Sequence, residues 1–100
     1  MKIKKGIKIN GLKPEMLLGI FIAKSIYDKW DKELVITEIT GGKHSFASLH
    51  YSGNAVDIRT NYFTDLEKDL VAKDLKEALS ENYDVVVEKT HIHIEFQPKG

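Results

Sequence analysis

All four histidines of the chain, His44, His50, His91 and His93, fall in two short stretches, one upstream of Asp57 and one close behind Glu88. His91, His93 and Glu95 alternate with Ile92, Ile94 and Phe96. In a strand, this spacing puts two imidazoles and a carboxylate on one face and three apolar side chains on the other. Packing accounts for the apolar face; the polar face needs another reason to exist. Asp57 lies between Val56 and Ile58, so it is expected to be partly buried and to have a partner, because an unpaired buried charge is costly. Gly53 gives the segment between His50 and Asp57 a place to turn. Glu88 ends the strand that leads into the histidines and is placed to approach the same site across a turn.

Two histidines and a carboxylate form a three-ligand zinc set that leaves a fourth position for water, the pattern of a catalytic site. Zinc lowers the pKa of that water to about 7, and a neighbouring carboxylate can carry its proton to a leaving amine. Taken singly, each of these residues also has an ordinary structural reading. A strand histidine is often a surface group, Asp57 a salt-bridge or turn residue, and Glu88 beside Lys89 a solvated turn. Ser45 and Ser48 lack the Gly-x-Ser-x-Gly elbow of a serine nucleophile and read as loop residues. Arg59, on the same strand face as Asp57, is either an acid's ion-pair partner or a binder of a substrate carboxylate.

The elements that must position these residues follow from local pattern. Residues 2–10 alternate Lys and Ile around Gly6, a weak edge-strand signal with Lys facing water, before a turn at Asn10-Gly11. Pro14 suits the first position of a helix reaching about Trp30, apolar over most of its surface and expected to be largely buried. Residues 34–39 read as a strand, 40–50 as a Gly- and Ser-containing loop, and 55–59 as a second strand. Thr64-Asp65-Leu66-Glu67 is a capping box that opens a helix whose apolar stripe is Leu66, Leu70, Val71, Leu75, Ala78 and Leu79. Residues 83–88 and 91–96 read as two strands joined by a tight Lys89-Thr90 connection. The expected fold class is α+β: a small, mainly antiparallel sheet with two helices packed on one face.

A length of 100 residues fits a single domain spanning 1–100. An apolar fraction of 42% and a charged fraction of 30% are globular values. Fifteen basic and fifteen acidic residues cancel, which speaks against nucleic acid or an anionic membrane as the main partner. With no cysteine there is no disulfide framework, thiolate zinc ligand or thiol nucleophile. The basic start is separated from the apolar run at 16–23 by Lys8, Lys13, Pro14 and Glu15, so that run reads as a core helix rather than a secretory signal. No segment approaches the ~20 apolar residues of a membrane span. The expectation is a soluble monomer made in the cytoplasm.

Ser48-Leu49-His50-Tyr51-Ser52-Gly53-Asn54-Ala55-Val56-Asp57 resembles the S-x-H-x-x-G-x-A-x-D pattern of the D-alanyl-D-alanine metallopeptidases, a family of carboxypeptidases, dipeptidases and phage endolysins. The run from His44 to Asp57, with His91-Ile92-His93, is also similar to the zinc site of the Hedgehog signalling domain, which shares that fold. The resemblance covers roughly residues 44–96 and is specific, fixing five positions over ten residues with an H-x-H in order downstream. It implies a Hedgehog/DD-peptidase-like fold and Zn2+ held by His50, Asp57 and His93. It further implies Glu88 as general base, with His91 and His44 lining the site and one or the other stabilising the oxyanion; Ser48 of the motif, and Arg59 by the strand face it shares with Asp57, are expected toward the substrate. Glu88-Lys89-Thr90-His91 also fits the E-x-x-H unit of some dipeptidases, a register in which His91 is the third ligand. The Hedgehog-like register favours His93, although Glu88 stands one residue closer to H-x-H than in that pattern. The implied substrate is a peptidoglycan peptide containing D-Ala. The implied setting is a lytic enzyme, phage or prophage in type, that reaches the wall only when released; the implied alternative is a zinc-stabilised binding module without turnover.

Overall fold

Period-two alternation builds the sheet. Five of the six residues of His91–Phe96 hydrogen-bond as partners of Ala55–Arg59, so the two most strongly alternating segments lie side by side. The computed structural model describes residues 1–7, 12–40 and 55–97. In chain order the elements are β1 (Lys2–Ile3), α1 (Pro14–Lys29), β2 (Val35–Thr40), β3 (Ala55–Arg59), α2 (Asp65–Ala78), β4 (Tyr83–Val87) and β5 (His91–Phe96). The strands form one sheet in the order β1-β2-β3-β5-β4. Only β1 and β2 run parallel; the remaining pairs are antiparallel, in agreement with the expected α+β class. Among the described residues, no helix is long and apolar enough to cross a membrane.

One face of the sheet is the core. Ile36, Val56, Ile58, Val85, Ile92 and Ile94 are buried there against Met16, Ile20, Ala23 and Tyr27 of α1 and Val71, Ala72 and Leu75 of α2. Burying a large aliphatic side chain is worth roughly 1.5–3 kcal/mol, so this face supplies most of the driving force for folding. The opposite face of β3 and β5 carries Asp57, Arg59, His91, His93 and Glu95, all partly buried.

The helix ends are specified locally. The Thr64 hydroxyl accepts the Glu67 N–H at 3.1 Å and the Glu67 carboxylate accepts the Thr64 N–H at 2.8 Å, the reciprocal cap expected from the sequence. α1 starts on Pro14 and stops where Asp31 takes a positive φ of 61°. There the Lys32 N–H reaches the Tyr27 carbonyl at 3.0 Å and the Asp31 N–H reaches Asp28 at 3.0 Å, closing a Schellman motif without glycine. Gly19 permits a close approach: a Cβ there would lie 3.1 Å from both the Met16 methyl and the Tyr83 ring. The Tyr83 hydroxyl crosses the same contact to donate to the Glu15 carbonyl at 2.6 Å.

Five local expectations need correction. The α2 stripe is narrower than its spacing suggests: Leu66 is 69% and Leu70 43% exposed, and Ala78 is exposed. Val71, Ala72, Leu75 and Leu79 face the core instead, because the sheet covers only one side of the helix. α1 is not buried all round; Leu17, Leu18 and Phe21 form an exposed outer face opposite Met16, Ile20 and Tyr27. The N-terminal strand within residues 1–7 is only Lys2–Ile3, and Ile3 is exposed, as its lysine neighbours are. β4 ends at Val87, one residue before Glu88, and β2 runs from Val35 to Thr40 rather than over 34–39.

Candidate functional site

β3 and β5 pair so that Asp57 stands directly opposite His93 and Arg59 opposite His91. Directly opposed side chains lie ~4.5–5.5 Å apart at Cβ, close enough to interact. His93 Nδ1 is 2.7 Å from Asp57 Oδ1, and His91 Nε2 is 3.5 Å from Asp57 Oδ2, so one carboxylate stands between two imidazoles. On its other side His93 Nε2 is 3.1 Å from Glu95 Oε1. The Gln97 side-chain amide in turn donates to Glu95, and the Thr90 hydroxyl lies 3.1 Å from His91 Nδ1. The polar face is thus one connected row, Gln97–Glu95–His93–Asp57–His91–Thr90.

The electrostatics follow from that row. Both ring nitrogens of His93 face carboxylate oxygens, and only the doubly protonated ring can donate to both. Burial disfavours the cation, but the hydrogen bonds to Glu95 and Asp57 and the charges of both outweigh it, so the His93 pKa is raised above its ordinary 6.5. The site remains reachable from water: Asp57 is 21% and His93 30% exposed at the side chain.

The outer face of β2 completes the floor. Between Ile36↔Ile58 and Glu38↔Asp57 the ladder slips by one residue, a bulge that sets Thr37 and Glu38 together against Asp57. The Thr37 hydroxyl donates to the Asp57 carbonyl at 3.4 Å. Beside Asp57 an open cleft of about 430 Å³ is bounded by Lys4, Thr37, Glu38, Asp57, Arg59 and His91 among others. The Arg59 carbonyl accepts the hydroxyl of fully buried Tyr27 at 2.8 Å, which ties the end of β3 to the core. Burial raises the Tyr27 pKa well above the usual tyrosine range, with Tyr62 adding to the effect.

Of the residues singled out from sequence, Asp57, His91 and His93 come together, and Arg59 lines the cleft with Asp57 and His91, while His93 stands outside it. Glu88 lies one step beyond the β4–β5 ladder, its N–H donating to the His91 carbonyl at 2.8 Å. That places it across from His91, but its side chain is exposed and does not line the cleft. The turn that carries it is held from α2 by the Lys68 ammonium, which donates to the Glu88 and Lys89 carbonyls at 3.2 and 2.9 Å. His44, Ser48 and His50 lie outside the described residues. Among the described residues, no group of three or more His, Asp or Glu side chains is arranged to hold a metal ion. An Asp carboxylate and a His imidazole, both side-chain types that zinc accepts, lie 2.7 Å apart on this partly exposed face, while the motif histidine His50 lies outside the described residues.

Four further residues contribute that were given no site role from the sequence. Glu95 was visible in the alternation with His91 and His93, and its contact to His93 is of the kind that orients a metal-ligating imidazole. Lys4 and the bulged pair Thr37 and Glu38 had no local signal, because strand pairing brings them to the cleft. Comparison with protein-family models, with curated proteins and with solved structures finds no match for the chain.

Proposed function

We propose that the chain is a zinc-dependent peptidase that hydrolyses D-Ala-containing peptidoglycan peptides, with His50, Asp57 and His93 as the metal ligands. The observation that carries this reading is the direct opposition of Asp57 and His93 on the wet face of β3 and β5. These are two of the three ligands implied by the S-x-H-x-x-G-x-A-x-D and H-x-H resemblance. Of the two histidine registers, His93 is favoured by its 2.7 Å contact with Asp57, against 3.5 Å for His91.

Bound zinc supplies a Lewis acid and a water whose pKa falls to about 7. The chain's own residues do the rest. A carboxylate, Glu88 in this reading, takes a proton from the attacking water. A bond forms between the water oxygen and the scissile carbonyl carbon, the amide C–N bond breaks, and the proton passes to the leaving amine. His91, with His44, donates toward the oxygen that gains charge. The Asp57 carboxylate holds the imidazoles on either side of it. Glu95 holds the ring of His93 from behind.

The second reading is a zinc-stabilised binding module without turnover. It is favoured by Glu88, whose exposed side chain does not line the cleft. One experiment separates the two: zinc content of the purified chain, with an assay on peptides ending in D-Ala-D-Ala in the presence and absence of chelator. One zinc per chain and chelator-sensitive cleavage support the peptidase. One zinc without cleavage supports the module. A chain that takes up no zinc when supplied with it overturns both.

A further inference from the structure

The turn between β4 and β5 is not closed by its own sequence. The Glu88 N–H donates to the His91 carbonyl at 2.8 Å, which leaves Lys89 and Thr90 as a two-residue loop. Two-residue hairpin loops favour turns with positive φ, and so favour Asn-Gly or other glycine-containing pairs. Lys89 and Thr90 offer neither feature: among the described residues other than glycine, Asp31 alone takes a positive φ. Nor is the pairing reciprocal. Among the described residues, the Glu88 carbonyl receives no backbone N–H, from His91 or elsewhere.

The missing donor comes from α2. The Lys68 ammonium donates to the Glu88 carbonyl at 3.2 Å and to the Lys89 carbonyl at 2.9 Å. Its own root is fixed, because the Lys68 N–H donates to the Thr64 carbonyl at 2.8 Å in the first turn of a helix closed by the Thr64–Glu67 cap. A donor on a capped helix and two acceptors on a loop make the helix the reference and the loop the part that is placed. Among the described residues, no carboxylate pairs with this ammonium, so the two carbonyls are what hold it.

The turn carries two groups toward the site. Val86 stands opposite His93, and Glu88, two residues on, stands opposite His91. A strand's period of two then puts the Glu88 side chain on the wet face with both imidazoles. Its carboxylate makes no hydrogen bond or ion pair with another described residue, which leaves it available to a proton. Thr90, on the same turn, sets its hydroxyl 3.1 Å from His91 Nδ1.

Resting on the peptidase reading above, we propose that Lys68 is a positioning residue for Glu88. By gripping the Glu88 and Lys89 carbonyls from α2, on the core side of the sheet, it fixes the direction in which the Glu88 carboxylate leaves the turn. The sheet separates Lys68 from the wet face, so it acts through Glu88 and not on the substrate. A displacement of about 1 Å in a reacting group can cost about 100-fold in rate, so a loosened turn is felt in kcat.

The test uses the zinc-loaded full chain and a peptide ending in D-Ala-D-Ala. The variants are Lys68→Met, Lys68→Arg, Glu88→Gln and the double variant Lys68→Met with Glu88→Gln. Lys68→Met is expected to lower kcat about tenfold or more with KM and zinc content unchanged, and Lys68→Arg to recover most of the loss, since a guanidinium also donates to two carbonyls. On top of Glu88→Gln, Lys68→Met is expected to cost nothing further, because the two residues act as one unit. An unchanged kcat in Lys68→Met, or an equal loss with and without Glu88, overturns the positioning role and leaves the peptidase standing. Full activity in Glu88→Gln overturns the positioning role together with the base. If the wild type cleaves nothing, the peptidase reading falls, and amide hydrogen exchange at Glu88 decides the anchor by itself. Exchange about tenfold faster in Lys68→Met upholds the anchor, and unchanged exchange overturns it. Thermal unfolding of each variant separates these effects from failures of folding.

Discussion

His93 Nδ1 stands 2.7 Å from Asp57 Oδ1 across the β3–β5 ladder, while its Nε2 stands 3.1 Å from Glu95. A ring held between two carboxylates favours two protons, and a metal ion must displace one of them. Two of the predictions below follow from this arrangement.

Zinc affinity is expected to depend on Glu95 as well as on the ligands. Glu95→Gln removes the acceptor charge behind His93 and should weaken zinc binding by about 10–100-fold, the usual cost of disturbing a partner of a ligand. His93→Ala and Asp57→Asn should weaken it further. Competition with a zinc-binding dye measures all three.

The metal-free chain should lose stability as pH rises. The His93 pKa is raised on folding, so the native state binds the proton more tightly than the unfolded chain does. That contribution is fully present below the unfolded value of about 6.5 and disappears as pH climbs through the higher folded value. Thermal unfolding in the presence of chelator should show this decline, and His93→Gln should flatten it. Saturating zinc should reverse the slope in the same range, because binding requires the ring to release a proton.

Glu88→Gln should retain zinc and lose turnover by about 100-fold or more, the share commonly carried by a positioned general base. The side chain is exposed beside His91, so the substitution should leave the melting temperature unchanged. Zinc content, melting temperature and kcat measured on one preparation check each part. Full activity in this variant removes Glu88 from the mechanism.

Gly19→Ala should destabilise the fold by about 1 kcal/mol despite the better helix propensity of alanine. The new Cβ would meet the Tyr83 ring at 3.1 Å, and that ring is held in place by its hydroxyl on Glu15. Zinc affinity should not change, because the contact lies on the core side of the sheet. Chemical denaturation provides the measurement.

The site was legible where the chain alternates. Val56-Asp57-Ile58 and His91 to Phe96 gave both the buried and the polar faces of β3 and β5, because a strand's period of two leaves no other assignment of sides. The Thr64–Glu67 cap was equally plain, being a contact within four residues. What escaped was non-local. Nothing near Leu66 or Leu70 reports that the sheet covers only the other side of α2. Nothing near Lys4 reports that a parallel pairing with β2 carries it to a cleft shared with Arg59. His44, Ser48 and His50, which the motif resemblance brings to the site, lie outside the described residues.

The bulge in β2 has a consequence for how this molecule could diversify. Ile36 faces Ile58 and Ile39 faces Val56, while Thr37 and Glu38 crowd the single position opposite Asp57. A chain shortened by Thr37 alone would keep each of these pairings as an uninterrupted ladder, with the core untouched. The fold therefore has no need of the extra residue; the rim of the cleft does. Gain or loss of length at this point would reshape the rim of the cleft while keeping the core pairings, so the shape of the cleft and the stability of the fold can drift independently along the same strand.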